Sequence, residues 1–132
     1  MESTGIARGL GRQAPERTLI VVDADPAIVR LVASHLVRSG FTVLTAGSAV
    51  DAIALAEAHA GKIDLLLTEV MLQAMSGVEL TAYLKRRRAG IRVIYMCSYL
   101  PSEVQEEVEE SGKVILNMPF SLKTLADKIR AA

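Results

Sequence analysis

The segment "LLLTEVMLQAMSG", Leu65 to Gly77, contains a run of apolar residues that ends in a carboxylate, Glu69. The leucines are consecutive rather than alternating with polar residues, a pattern typical of a parallel strand that is covered on both faces. Ser76 stands just before a helical pattern, where its hydroxyl can accept a hydrogen bond from the backbone. The segment therefore predicts a buried strand, a loop and a helix, with an acid at the carboxyl end of the strand.

The same alternation of short apolar runs and longer helical patterns repeats along the chain from Leu19 onward. After each run, apolar side chains three and four residues apart predict a helix. In the first helix these residues are Ile28, Leu31, Val32 and Leu36. The predicted strands are Leu19–Val22, Phe41–Leu44, Ile63–Val70, Ile91–Cys97 and Lys113–Leu116. Because crossovers between parallel strands are right-handed, we expect an α/β fold: a flavodoxin-like doubly wound (βα)5 architecture, with helices on both faces of a five-stranded parallel sheet.

Residues with capping chemistry mark the predicted helix ends. Those expected to cap helix starts are Asp25, Ser48, Ser76 and Ser121. Glycines that separate a helix from the next strand, where a left-handed cap is expected, are Gly40, Gly61, Gly90 and Gly112. The regular spacing of both sets supports five strand–helix units.

Composition limits the class of protein. The chain has 132 residues, 51% of them hydrophobic, which is enough for one domain, residues 18–132. Residues 1–17 lack a hydrophobic period and are interpreted as a flexible N-terminal tail. Fifteen basic and fifteen acidic residues balance, so no net field attracts nucleic acid or a membrane. Without a signal peptide or an apolar run of about 18 residues, we expect a cytoplasmic protein.

In such a sheet, ligands bind beside the carboxyl ends of the strands, where the strand order reverses. Polar and reactive side chains at the predicted strand ends are Asp23, Asp25, Glu69, Cys97 and Ser98, and Met118 follows the last strand before Pro119. The candidate site is therefore expected at this edge of the sheet. Convergence of carboxylates there without a cation should raise at least one carboxyl pKa.

Four stretches carry a resemblance to a known family: "LIVVDADPAIVRLV", "DLLLTEVMLQAMSGVEL", "VIYMCSY" and "NMPFSLKTLADKIR". Their order and spacing, from Leu19 to about Arg130, resemble the receiver domains of bacterial two-component response regulators. "VIYMCSY" and "PFSL" are most similar to receivers attached to hybrid histidine kinases. The resemblance implies an aspartate that takes a phosphoryl group from a histidine, aided by Mg²⁺ on an acid pair, with a Lys and a Ser or Thr hydroxyl on the phosphoryl oxygens.

At most of these positions, this sequence has a residue that differs from the one usual in the family. The acid pair falls on Asp23 and Ala24, which leaves one carboxylate and, with Asp25, at most a weak or vestigial Mg²⁺ site. The phosphoacceptor position falls on Glu69, the hydroxyl position on Cys97 and the lysine position on Met118. We therefore expect no resident cofactor.

These substitutions favour a receiver in phosphorelay signalling that is independent of phosphorylation and acts by protein contact rather than as an enzyme. Two alternatives stay open: phosphorylation by an altered route, with residual autophosphorylation chemistry, and a constitutively active mimic of the phosphorylated state. A flavodoxin-like nucleotide or flavin binder is a third, but "DADPA", Asp23 to Ala27, lacks a Gly-rich phosphate cradle.

The resemblance also indicates a partner surface. Tyr99 matches the family's switch aromatic, and the surface of the fourth helix, fifth strand and fifth helix is the expected docking face. Its candidate contacts are Tyr99, Val104, Val108 and Pro119. A histidine kinase or another signalling protein is the expected partner, and a homodimer through this face stays open.

Overall fold

The computed structural model describes residues 17–97, 99–115 and 121–132. Strands and helices alternate from the start of the described chain to its end, as the sequence predicts. The strands are β1 (Thr18–Val22), β2 (Thr42–Ala46), β3 (Leu65–Glu69), β4 (Arg92–Met96) and β5 (Lys113–Ile115). The helices are α1 (Pro26–Arg38), α2 (Ala49–Ala58), α3 (Gly77–Arg87), α4 (Ser102–Ser111) and α5 (Leu122–Ala131).

The five strands form one parallel sheet in the order β2-β1-β3-β4-β5. The order reverses between β1 and β3, where Val22 lies opposite Thr68. The residue after Val22 is Asp23 and the residue after Thr68 is Glu69, so this register brings two acids to the same point of the sheet edge. The doubly wound fold predicted from sequence is confirmed.

Helices cover both faces of the sheet. One core cluster joins β-strand residues such as Ile20 and Leu66 to α2, α3 and α4. The other joins Leu19, Leu65 and Leu67 to α1 and α5. Neighbouring strand residues are thus buried on opposite faces, which explains why the apolar residues in β1 and β3 are consecutive.

All four predicted helix caps are confirmed. The side chains of Asp25, Ser48, Ser76 and Ser121 each accept a hydrogen bond from the first turn of the helix that follows. At Ser76 the bond is reciprocal, because the Glu79 side chain accepts from the Ser76 backbone N–H. This capping box fixes the start of α3 just beyond the loop that follows β3.

The predicted buried stripe of α1 is wrong at one position. Leu31 is 54% exposed, whereas Val29 is buried with Val32 and Leu36. At about 100° of rotation per residue, positions 29, 32 and 36 share the face toward the sheet, and position 31 lies away from it. The sequence pattern alone did not exclude Leu31, because the predicted residues and the residues that are buried are both three or four apart.

The left-handed glycine caps are also wrong, except at one position. Gly40 has φ 101° and, within the described ranges, is the one glycine with positive φ. Gly112 is extended, with φ −173°. It is required for another reason, since a Cβ there would lie 2.8 Å from the Val93 carbonyl oxygen.

Predicted strand bounds are shifted by one or two residues at most ends. The largest differences, of two residues, are at the end of β2, which continues to Ala46 rather than ending at Leu44, and at the start of β3, which begins at Leu65 rather than Ile63. Of the predicted tail, residues 1–16 lie outside the described residues. Arg17 contacts the end of α5, where its Nη1 donates to the Ile129 carbonyl oxygen at 2.7 Å. No helix within the described ranges has the length and apolarity needed to cross a bilayer.

Candidate functional site

The turn after β1 holds two acids in different roles. Asp23 is only 5% exposed, and its Oδ1 accepts a hydrogen bond from the Asp25 backbone N–H at 2.9 Å. The Asp25 side chain is exposed and accepts from the Ala27 N–H at 2.9 Å, which makes it the cap of α1. The structure therefore separates a buried acid, Asp23, from an acid that serves a helix start.

Glu69 ends β3 and extends toward the turn after β1. Its Oε1 accepts a hydrogen bond from the Ala24 backbone N–H at 3.3 Å. The Glu69 and Asp23 carboxyl groups also lie near enough for each to affect the pKa of the other. The two acids therefore form an interacting pair at this edge of the sheet.

The electrostatics of this pair follow from its burial. Burial raises the pKa of Asp23, and the charge of Asp25 adds to the increase. Burial is also the largest cause of the raised pKa of Glu69, followed among the raising effects by the charge of Asp23. The predicted direction is confirmed, but desolvation rather than charge repulsion contributes most.

The predicted hydroxyl position lies at the end of β4. Cys97 is buried, and burial raises the pKa of its thiol. Between Cys97 and Glu69, both described, there is no hydrogen bond. Ser98, Met118 and Pro119 lie outside the described residues, so the predictions made for Met118 and Pro119 stay predictions.

The residues of the predicted partner surface differ in exposure. Tyr99 is 72% exposed, and Val104 is partly buried. Val108 has no exposed surface and packs into the core with α2 and α3. Because residues four apart share one face of a helix, the Val104–Val108 stripe anchors α4 to the sheet, and Val108 is not available to a partner.

The response regulator receiver domain is the family whose model matches this sequence, over residues 19–130. The chain belongs to this family.

Receiver-containing relatives share this part of the chain. The heme response regulator HssR of Staphylococcus saprophyticus is 30% identical over 115 residues, which cover 86% of this chain and 50% of that protein. The sensor kinase CckA of Brucella abortus is 27% identical over 114 residues, which cover 86% of this chain and 12% of that protein. The chain thus spans half or less of the length of these relatives.

Solved receiver structures share its fold. A CheY-like receiver domain protein from Methanospirillum hungatei JF-1 superimposes with a TM-score of 0.80 at 25% identity, covering 89% of this chain and 93% of that one. The signal receiver domain of an HD domain-containing protein from Pseudomonas fluorescens Pf-5 superimposes with a TM-score of 0.81 at 18% identity. The match covers 89% of this chain and 94% of that one. The second likeness supports the fold alone.

Sequence reasoning missed how tightly the receiver's β3–α3 loop is packed. A Cβ on Gly77 would overlap the Glu69 carbonyl oxygen and lie 3.2 Å from the Val70 Cα. The Gly77 N–H donates to the Val70 carbonyl oxygen at 2.8 Å. Within the same loop Ala74 has φ 67°, a left-handed conformation that residues with a Cβ rarely adopt. A glycine at the first position of a helix was the one available signal for this close approach.

A buried hydroxyl in β4 was also missed. Tyr95 is fully buried, and its OH hydrogen-bonds to Thr81 Oγ1 of α3 at 2.8 Å and to Ser111 Oγ of α4 at 2.7 Å. No sequence pattern signals this network, because Tyr95 stands within an apolar run and its two partners are 14 and 16 residues away. The network joins α3 and α4 to the sheet.

Proposed function

We propose that this receiver domain acts in two-component phosphorelay signalling by protein contact, without taking a phosphoryl group itself. The observation that carries the proposal is the Asp23–Glu69 pair, in which Glu69 Oε1 accepts from the Ala24 amide. These groups lie where the family resemblance expects the acceptor and the metal. Glu69 there is already bonded to the Ala24 amide and lies beside a second carboxyl group, Asp23.

Glu69 is a poor phosphoacceptor for a geometric reason. Its side chain is one methylene longer than that of aspartate, so the attacking oxygen is displaced. Phosphoryl transfer depends mainly on positioning, and a displacement of about 1 Å can lower the rate on the order of 10²-fold. The contact with the Ala24 amide holds the carboxyl group in this extended position.

The described side chains do not fit a firmly held Mg²⁺. This ion requires near-octahedral oxygen ligation. Ala24 contributes a methyl group at the second position of the acid pair, and Asp25 is engaged in capping α1. Among the described residues, no cluster of three or more His, Cys, Asp or Glu side chains could hold a metal ion.

The same neighbourhood argues against a constitutively active mimic. Such a mimic needs a hydroxyl and a lysine that respond to the charge of Glu69. The sequence has Cys97 and Met118 at these positions, and Cys97 makes no hydrogen bond to Glu69. Tyr99 is exposed rather than packed against the site. The output is therefore a contact whose expected surface includes Tyr99 and Val104, with a histidine kinase or another cytoplasmic signalling protein as partner.

Intact-protein mass spectrometry after incubation with Mg²⁺ and a small-molecule phosphodonor tests the proposal. The matched control is a restored variant, Ala24→Asp, Glu69→Asp, Cys97→Thr and Met118→Lys, which places the family's residues at all four positions. We expect the restored variant to gain one phosphoryl group and the natural sequence to gain none. A phosphoryl group on the natural sequence that is lost in Glu69→Gln would show phosphorylation by an altered route and overturn the proposal.

A further inference from the structure

Exposed charges on the two neighbouring helices α3 and α4 are segregated by sign. The last turn of α3 carries three exposed cations, here called the basic end: Lys85, Arg86 and Arg87. α4 carries no cation, and its exposed acids, here called the acidic face, are Glu103, Glu106, Glu107, Glu109 and Glu110. Since the chain has no net charge, this separation is a local feature of one surface rather than a consequence of composition.

The last turn of α4 carries acids where a helix normally carries cations. Its last turn contains Glu109 and Glu110, although the partial negative charge of a helix C-terminus favours cations. Glu106 and Glu110 are four residues apart, so their like charges repel. Pro101 at the N-cap makes no side-chain hydrogen bond. α4 itself therefore carries no cation that could offset its acids.

The chain's own basic end reaches the last carbonyl of α4 through Lys85 but forms no ion pair with the acidic face. Over the described ranges, the ion pairs join other residues, and none links α3 to the acidic face. Lys85 Nζ instead donates to the Ser111 carbonyl oxygen at 2.7 Å. Arg87 lies over the Tyr83 ring, 3.7 Å from its centroid. Both surfaces thus keep unpaired charge.

The fold places the two surfaces so that they are complementary to a second copy. α3 and α4 contact each other on the same face of the sheet, and both run antiparallel to the strands. Their last turns consequently lie at the same edge. A two-fold axis running between the helices and parallel to them would bring α3 of each copy over α4 of the other, with the C-terminal turns at the same level.

We propose that a second copy of this chain docks on this surface, forming a symmetric dimer in which each basic end lies on the acidic face of the other copy. The arginines of the second copy supply positive charge to the acidic face, whose carboxylates form no ion pair within the described chain. The dimer is independent of phosphoryl chemistry at Glu69. Its interface, formed by α3 and α4, also differs from the docking face expected from the family resemblance, which is formed by α4, β5 and α5.

Sedimentation velocity of the full chain at about 0.02 M and about 0.5 M salt tests the dimer, because ionic attraction is screened within a few ångströms at the higher concentration. At about 100 μM chain, a dimer with a Kd of this order is populated. We expect association at low salt that weakens at least about tenfold at high salt. Monomer at both salt concentrations, or a dimer indifferent to salt, would overturn the proposal.

Charge reversal then locates the interface. Arg86→Glu with Arg87→Glu, and separately Glu106→Lys with Glu110→Lys, should each weaken association at least about tenfold, since like charges then face each other. An equimolar mixture of the two variants should regain dimers, because in the mixed pair both contacts are again complementary. A mixture that stays monomeric while both variants retain their circular dichroism spectra would contradict the arrangement.

The matched control lies on α5. Lys123→Glu with Lys128→Glu changes the same number of charges on an exposed helix outside the proposed interface. We expect this variant to dimerise like the natural sequence. Loss of the dimer in the α5 variant, together with its retention in the α3 variant, would assign association to the α4, β5 and α5 face and refute the proposal.

Discussion

Removing the Tyr95 hydroxyl should destabilise the receiver substantially, although a single oxygen is lost. In Tyr95→Phe the hydrogen bonds to Thr81 and Ser111 disappear, each with a net contribution of about 0.5–1.5 kcal/mol. Thr81 is 1% exposed, so water cannot replace its partner, and an unsatisfied buried hydroxyl costs about 1–3 kcal/mol. Ser111 keeps its bond to the Glu107 carbonyl oxygen. We expect a loss of about 2–4 kcal/mol in the free energy of unfolding.

Urea denaturation followed by circular dichroism measures this loss. With an m-value of about 2 kcal/mol/M, within the usual range of about 1–3, the midpoint should fall by roughly 1–2 M. Tyr83→Phe is the matched control, because the Tyr83 OH bonds to Glu57 Oε2 at the surface, at 3.0 Å, where water can substitute. The control should change stability by less than about 0.5 kcal/mol. Equal and small effects of the two substitutions would refute the role of the buried network in holding α3 and α4 to the sheet.

Three further predictions concern the site. Gly77→Ala should lower the free energy of unfolding by about 1–3 kcal/mol in urea denaturation, because its Cβ would overlap the Glu69 carbonyl oxygen. Gly90→Ala, with open space around it, is the control, and an equal loss there would contradict this reason. Ala74→Gly should stabilise the protein by up to about 1 kcal/mol, since φ 67° is strained for alanine; a less stable variant would contradict the strain. Because the pKa values of Asp23 and Glu69 are raised in the folded state, their contribution to stability is complete below about pH 4 and is lost as pH rises through the folded values. Glu69→Gln should flatten this decline in urea titrations above about pH 4, and an unchanged pH profile would exclude the pair as its source.

The sequence was sufficient to predict the fold because its signals are local. Consecutive leucines in β3, helical spacing after each strand, and cap residues such as Ser76 each determine structure within a few residues. The ends of the strands were predicted less accurately than their positions in the chain. β2 continues to Ala46 because pairing with β1, rather than its own sequence, decides where it ends.

The site was predictable in place but not in chemistry. Alternation of strands and helices puts Asp23 and Glu69 at one edge of the sheet, which the strand order confirms. The hydrogen bond from the Ala24 amide to Glu69, and the dominance of burial in the raised pKa values, depend on side-chain positions that no local pattern specifies. The burial of Val108 follows from its four-residue spacing to Val104, which gives α4 one apolar stripe.

The most direct test of the central claim is an amide NMR titration of the domain, first with Mg²⁺ and then with beryllofluoride as a stand-in for the phosphoryl group. Since Asp23 and Glu69 engage each other and Ala24 supplies no carboxylate, we expect no saturable shifts of the amides of Asp23, Glu69 or Tyr99. The restored variant should show such shifts under the same conditions. Saturable shifts in the natural sequence that begin at Asp23 and Glu69 and extend to Tyr99 would contradict phosphorylation-independent signalling.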